Sequence, residues 1–337
     1  MKFVRFLLFP FAIVYDLVTT FRNICFDVGV FKQTSFKIPI IVVGNLSVGG
    51  TGKTPQIEYL IRLLKDDYKT VVLSRGYGRK TKKFVLLNDS HTAEEVGDEP
   101  LQYFKKFKKI AVAVDANRVA GISKLITDVS PEVFLLDDAY QHRKVKGSLS
   151  IVLTKYDDLF TDDFLLPTGN LRESSRGVKR ADLIIVTKCP YNISESTRKS
   201  IHEKLRKFDK TIFFTTISYN KQTSGSTSIF IEDLKKYEIL LITGIANPTS
   251  LLTFLHDHKV NFTHCKFPDH HHFTNRDIQN INEQFDQLTS NKKLMLTTEK
   301  DYVRLENRIQ ELSFLGIETS FLSEKEAFDT MIKNHIQ

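Results

Sequence analysis

From residue 38 to about residue 190, short continuous apolar runs alternate with segments of helical periodicity, and most of the runs end abruptly in polar residues. Ile38–Val43 leads into Ser47-Val48-Gly49-Gly50-Thr51-Gly52-Lys53-Thr54, and Thr70–Leu73 leads into Ser74-Arg75-Gly76-Tyr77-Gly78-Arg79. Phe84–Leu87 is a further short run. Ile110–Val114 leads into Asp115-Ala116-Asn117-Arg118, and Val133–Leu136 leads into Asp137-Asp138. Leu149–Leu153 follows, and Leu183–Val186 leads into Thr187-Lys188. Runs without alternation predict strands buried on both faces, which with intervening helices make a mostly parallel α/β sheet covered on both sides. Ligands of such sheets sit beyond the carboxyl ends of the strands, where nearly all of these polar clusters fall. The chemistry is therefore expected along one edge of one sheet.

Thr211–Ile217 predicts another strand, and the polar stretch Asn220–Ser228 is the best linker candidate. A second α/β pattern follows, with strands expected at Glu238–Thr243, Lys259–Lys266, Lys292–Thr297 and Ile317–Leu322, and helices at Thr249–His256 and Asn275–Leu288. The expected division is an N-terminal helix in residues 1–30, a larger lobe in 31–215, a linker in 216–236 and a smaller α/β lobe in 237–337.

The run Ser47–Thr54 carries the most chemistry. A strand entering a glycine-rich turn that ends in Gly-Lys-Thr is a phosphate cradle, because the glycines let backbone N–H groups turn onto the anion. Lys53 adds a point charge, the Thr54 hydroxyl can ligate Mg²⁺, and the helical run Gln56–Leu64 presents its N-terminus to the phosphates. Ser47 stands where the G-x-x-x-x-G-K-[ST] pattern has its first glycine, and Gly49 and Gly50 supply the flexibility instead. This predicts a nucleoside triphosphate site of the P-loop type. Beside such a loop, Asp137 and Asp138 at a strand end are candidates to hold Mg²⁺ directly or through water. Asp98 in Gly97-Asp98-Glu99-Pro100 has a plainer role available, as a helix cap. The turn Ser74–Arg79 suits an anion contact or a solvated loop. In His270-His271-His272, adjacent side chains diverge, so one catalytic histidine is a better expectation than a three-histidine metal site.

Composition adds less. The 337 residues are 41% hydrophobic and 26% charged, which places the chain among folded globular proteins. A net charge of +8 points to an acidic partner without choosing among nucleic acid, anionic lipid and a phosphorylated substrate. Cys25, Cys189 and Cys265 lack metal or redox spacing and suit a reducing compartment. The apolar run Phe6–Tyr15, preceded by Lys2 and Arg5, is shorter than the roughly 20 residues of a membrane span. No small-residue cleavage site follows it. A core helix and an interfacial helix remain, and phenylalanines at 3, 6, 9, 11 and 21 with flanking basic residues favour a membrane surface.

Taken in order, several short motifs resemble one family. They are Ser47–Pro55, the Ser-Arg-Gly-Tyr turn at 74–77, Gly97–Pro100 and Asp115 with Arg118. Asp137-Asp138 with Gln141-His142-Arg143, Leu166–Glu173, Asp269-His270 and Thr298–Arg304 complete the set. The ordered set spans nearly the whole chain and is similar to the tetraacyldisaccharide 4′-kinases of lipid A synthesis. The resemblance implies ATP- and Mg²⁺-dependent phosphorylation of the 4′-hydroxyl of a tetraacyldisaccharide 1-phosphate at the cytoplasmic face of the bacterial inner membrane. It also implies a P-loop lobe and a smaller α/β lobe joined by strands. Carried over by motif, Lys53 and Thr54 would hold phosphate and Mg²⁺, and Asp137, Asp138 and Glu173 would serve the metal. Asp98 would be the general base with His270, which follows Asp269, as its partner across the cleft. Arg75, Arg118 and Arg172, with Arg79, are candidates for phosphate contacts. Ala139 and Tyr140 stand where Gly-Phe is more usual.

Two other classes compete. A GTPase-like switch would use a guanine-reading loop, which Thr187-Lys188-Cys189-Pro190 and Thr298-Glu299-Lys300-Asp301 faintly echo. A nucleic-acid-binding ATPase lacks any recognisable module here and the basic residues are spread along the chain, so no nucleic-acid partner is expected. A monomer is expected.

Overall fold

The computed structural model describes residues 5–337; Lys2 and Phe3, part of the expected basic and apolar start, lie outside the described residues. Fourteen strands form two sheets among the described residues. They are β1 (Ile40–Asn45), β2 (Thr70–Ser74), β3 (Val85–Leu86), β4 (Ala111–Val114), β5 (Val133–Asp137), β6 (Leu149–Lys155) and β7 (Leu183–Thr187). Then come β8 (Thr211–Tyr219), β9 (Ser224–Gly225), β10 (Glu238–Thr243), β11 (Asn261–Lys266), β12 (Lys293–Thr298), β13 (Leu312–Leu315) and β14 (Ile317–Phe321). The nine-stranded sheet runs β14-β8-β7-β6-β1-β5-β2-β4-β3 and the five-stranded sheet β11-β10-β12-β13-β9. Pairing in the large sheet is parallel except at its two edges, β3 on β4 and β14 on β8. This is the mostly parallel, doubly covered α/β fold expected from the apolar runs.

All six residues of β1 are buried, and their alternation feeds two cores. Ile40 and Val42 pack with Val71, Leu73, Phe134 and Leu136 on one face. Ile41 and Val43 pack with Val72, Leu135, Ile57 and Leu60 on the other, so each β1 side chain has apolar cover whichever way it points. The chain passes from β1 outward through β2 and β4, returns at β5, and continues on the other side of β1 with β6. The strand order therefore reverses around β1, and the crevice at its carboxyl end is where a doubly wound sheet takes its ligand.

Two expected boundaries are corrected. The last part of residues 237–337 does not belong to the smaller sheet. β14 pairs antiparallel with β8, Ile317 opposite Tyr219 and Phe321 opposite Thr215. The helix Lys325–Ile336 buries Phe328 and Ile332 among Ile57, Leu60 and Leu64, and Tyr59 Oη donates to Asp329 at 2.6 Å. Pairing with β14 covers what would otherwise be the free edge of β8. Residues 216–236 are also not a plain linker. They finish β8, pair β9 with β13, and bury Ile231 and Leu234 in a 3₁₀ turn Ile231–Lys236.

The N-terminal helix Phe9–Asp27 buries Ala12, Thr19 and Cys25 but leaves Leu17 65% and Phe21 68% exposed. Phe11, Val14 and Val18 are likewise exposed. No helix of the described residues is long and apolar enough to cross a membrane.

Candidate active site

The phosphate loop leaves the carboxyl end of β1 and enters the helix Lys53–Leu64. Gly52 sits at φ +85°, in the left-handed region where a side chain is strained, and it occupies the N-cap, so the first helical N–H groups are left for an anion. Neighbouring segments hold the loop in shape. Val48 N–H donates to the Asn170 carbonyl at 2.7 Å, Asn45 Nδ2 to the Ser47 carbonyl at 2.7 Å, and Thr187 Oγ1 to the Thr51 carbonyl at 2.8 Å. The Thr51 hydroxyl is buried without a protein partner, an orphan that a bound phosphate would satisfy. Lys188 Nζ comes within 3.8 Å of the space beside Gly50, so the Thr187-Lys188 turn lies against the loop.

β5 places the acidic pair beside this loop, because Val43 of β1 is in register with Asp137. Asp137 is buried and accepts from Ser74 Oγ at 3.3 Å. Burial pushes its carboxyl up to about 7, and the adjacent Asp138 and Glu99 add to the rise. Asp138 turns out of the strand at φ +47°. Burial pushes its carboxyl up as well, but Lys53 and Arg172 outweigh that and hold it below the usual range. Lys53 Nζ lies 3.6 Å and Arg172 2.8 Å from Asp138 Oδ1, and Arg172 also donates to Asn45 Oδ1. Two carboxylates at the end of β5, beside a loop that runs into Thr54 at the start of the next helix, are a donor set that suits an oxygen-loving divalent cation. Among the described residues no three His, Cys, Asp or Glu side chains gather around one metal position. Such a cation would take its remaining ligands from phosphate and water.

Glu173 is not brought into that group. It is fully buried and accepts from Arg180 through both oxygens at 2.9 and 2.8 Å, from Gln141 Nε2 at 3.1 Å and from Asn23 Nδ2 at 3.0 Å. These contacts tie it to the N-terminal helix through Asn23 and to the segment after the acidic pair through Gln141, apart from the Asp138–Lys53–Arg172 group. The arginines also separate. Arg118 is buried and donates to the carbonyls of Asp115 and Ala116 at 2.9 and 3.3 Å, and burial with the nearby Arg75 charge pulls its guanidinium down to about 10. Arg75 is exposed, whereas Arg172 is held by Asp138 and Asn45.

Asp98 and His270 come together. The helix Asp98–Lys106 packs on the phosphate-loop helix through Gln102 Nε2 donating to Glu58 at 2.8 Å. Gly97 occupies its N-cap, so the capping alternative for Asp98 does not hold. From the other lobe, the turn after β11 carries His270 at φ +54°, its N–H donating to the Gly244 carbonyl at 3.2 Å. His270 Nδ1 lies 2.9 Å from Asp98 Oδ2. Burial pushes the Asp98 carboxyl up, but the His270 hydrogen bond and the Arg304 and Lys300 charges outweigh it and leave it lowered. The Asp98 contact raises the His270 imidazole against burial and Lys300. The neighbouring histidines diverge as expected, His271 Nε2 to Asp277 at 3.0 Å and His272 Nδ1 to Glu94 at 3.0 Å.

Thr298–Asp301, one of the guanine-loop echoes, has other work. Thr298 caps the helix Glu299–Leu305, and Asp301 accepts the Gly244 N–H at 2.9 Å and pairs with Arg304 at 2.6 Å. Arg304 in turn donates to the His271 carbonyl at 2.9 Å and lies 3.6 Å from Asp98. Asn45, Gln141, Lys300, Asp301 and Arg304 were not among the expected site residues. The ordered motif Thr298–Arg304 was visible, but which lobe its side chains face was not.

The model of the family "Tetraacyldisaccharide-1-P 4'-kinase" matches residues 4–337. Tetraacyldisaccharide 4'-kinase of Flavobacterium johnsoniae is 49% identical over 100% of this chain and 98% of its own length. The protein of the same description from Flavobacterium psychrophilum is 48% identical over 100% and 98%. The crystal structure of LpxK from Aquifex aeolicus in complex with ATP superposes with a TM-score of 0.80 at 29% identity, covering 99% of this chain and 100% of that one. Phosphate loop, acidic pair, cross-lobe Asp–His contact and full-length similarity agree, and the chain belongs to the tetraacyldisaccharide-1-P 4'-kinase family.

Proposed function

We propose that this chain transfers the γ-phosphoryl group of ATP to the 4′-hydroxyl of a tetraacyldisaccharide 1-phosphate. The observation that carries the reaction is the 2.9 Å contact between Asp98 and His270, a carboxylate–imidazole pair suited to a general base on a helix packed against the phosphate-loop helix. The substrate class rests on the family. Phosphoryl transfer asks a protein for alignment, charge neutralisation and a proton acceptor. Loop N–H groups from Gly49 to Thr54 and the Lys53 ammonium hold the phosphates. Thr54, Asp137 and Asp138 would hold Mg²⁺, which when bound neutralises charge on the phosphate oxygens. Asp98 accepts the proton of the sugar hydroxyl as its oxygen bonds to the γ-phosphorus and the bond to ADP breaks. His270 orients that carboxylate. Arg75, the exposed arginine beside Arg118, is placed to meet a substrate phosphate.

The exposed face of Phe9–Asp27 lies on the membrane surface, bringing the cleft to headgroup level on the cytoplasmic side of the inner membrane. The helix is wired to the site: Tyr15 Oη donates to the Arg172 carbonyl at 2.9 Å and Arg5 Nε to the Pro167 carbonyl at 3.0 Å. The protein works there as a monomer.

The test is transfer of label from γ-labelled ATP to tetraacyldisaccharide 1-phosphate in mixed micelles, with Mg²⁺ and with EDTA. Mg²⁺-dependent bisphosphorylated lipid is the expected product. ATP or GTP hydrolysis without labelled lipid would refute the kinase reading and favour a nucleotide switch.

A further inference from the structure

We propose that Lys300 is a positioning residue that biases the His270 imidazole toward its neutral form, with the proton on Nδ1, and so keeps Asp98 a competent base. This rests on Asp98 being the base. His270 lies between two groups of opposite charge: Nδ1 is 2.9 Å from Asp98 Oδ2, and Nε2 is 3.1 Å from Lys300 Nζ. An ammonium has donors and no acceptor, so the second contact is a hydrogen bond only if Nε2 carries a lone pair. The ring proton is then on Nδ1 and donates to Asp98. An imidazolium would instead set an N–H against the ammonium.

The surroundings show why such a restraint is needed. Asp98, Glu99 and Asp269 all favour a charged ring, with Asp269 Oδ2 3.9 Å from Nε2. Lys300 opposes them from the second lobe and limits a rise that the carboxylates still win, Arg304 adds positive charge 3.6 Å from Asp98, and the Tyr77 ring lies 5.7 Å from the imidazole. Lys300 is itself held by Glu99 at 3.2 Å and Asp269 at 3.8 Å, one carboxylate from each lobe. Its helix also carries Asp301 and Arg304, which clamp Gly244 and the carbonyl of His271. The frame that presents Lys300 is thus the frame that holds the His270 turn. A neutral ring matters because a full positive charge against Asp98 would stabilise its carboxylate and weaken it as a proton acceptor.

The experiment follows His270 ring ¹⁵N shifts against pH in the full chain in detergent, assigned by loss of the signal in H270A. kcat and KM for ATP are measured over the same range for wild type, K300M and K300R. The neutral form of the wild-type ring is expected as the Nδ1–H tautomer. In K300M the ring should titrate about one unit or more higher. Its kcat should fall about tenfold near neutrality and recover as pH rises, with KM for ATP unchanged; K300R should stay near wild type. A His270 titration unchanged in K300M, or a kcat deficit equal at every pH, overturns the proposal; the second outcome would mark Lys300 as merely structural. Full turnover in D98N would instead remove the base itself, and the ring tautomer would still be read independently.

Discussion

Replacing Lys106 by methionine should loosen the two lobes in a pH-dependent way. Lys106 ends the helix that begins at Asp98, and its Nζ lies 2.7 Å from Glu58 on the phosphate-loop helix and 2.8 Å from Glu299 on the second-lobe helix. Both carboxylates are out of water, Glu58 with 1% and Glu299 with 9% of its side chain exposed. Arg62, 3.2 Å from Glu58, is the other cation in the cluster. Methionine keeps most of the aliphatic volume and removes the charge, so packing changes little. Stripping a buried ion pair of one partner costs about 3–5 kcal/mol, a large share of a typical 5–15 kcal/mol stability. The deficit has an escape. Burial and the Glu58 charge already push the Glu299 carboxyl up to about 7, against the pull of Lys106, and without that pull it rises further. Its folded value lies above its ordinary value near 4.5, so the folded state binds the proton more tightly and stability falls as pH rises through the folded value. The deficit should therefore be greatest at about pH 8.5 and shrink toward about pH 6. Urea denaturation of wild type, K106M and K106M/E299Q at both pH values measures it. The double variant should regain part of the loss at high pH. A deficit below about 1 kcal/mol at high pH, or one equal at both, would refute a buried ionic clasp.

Three further outcomes are expected. Lys53→Ala and Asp98→Asn should each lower kcat by at least about 100-fold with unchanged thermal unfolding, and near-normal turnover removes that residue from the mechanism. Tyr140→Phe should cost about 1 kcal/mol in denaturation, because the buried Tyr140 hydroxyl donates to the Gly177 carbonyl at 2.6 Å; no loss would mean that bond contributes nothing. Leu17→Asp with Phe21→Asp should lower partition onto anionic vesicles at least tenfold, since each exposed side chain is worth about 1.5–3 kcal/mol when buried in an apolar phase. Unchanged cosedimentation would place that face elsewhere.

Tyr140 shows how a departure from the family pattern is read in space. Gly44 of β1 passes so close that a Cβ there would meet the Tyr140 Cβ at 2.5 Å, and the Arg180 guanidinium covers the Tyr140 ring at 4.8 Å. The larger ring is accommodated with its hydroxyl satisfied, and Asp138 still takes its left-handed turn.

What the amino-acid sequence determined by itself was local. Continuous apolar runs such as Ile40–Val43, alternating with helical segments, fit strands buried on both faces of a covered parallel sheet, so the first lobe was legible. A glycine-rich turn after such a run has one common use, and the phosphate loop was legible with it. The divergence of His270, His271 and His272 follows from backbone geometry alone. The tertiary structure decided everything that depends on contacts between distant segments. β14 has the same strand-like composition whether it pairs in one sheet or the other; the open edge of β8, about a hundred residues earlier, chose for it. The contacts of Glu173 with Arg180, Gln141 and Asn23, the last 150 positions earlier, exist only in the folded chain. Asp98 and His270, 172 positions apart, and Lys300 beyond them, become one cluster only because two helices from different lobes face each other across the cleft. Periodicity and motif act over a few residues, whereas charge and hydrogen bonding act over a few ångströms, and only the folded chain converts one distance into the other.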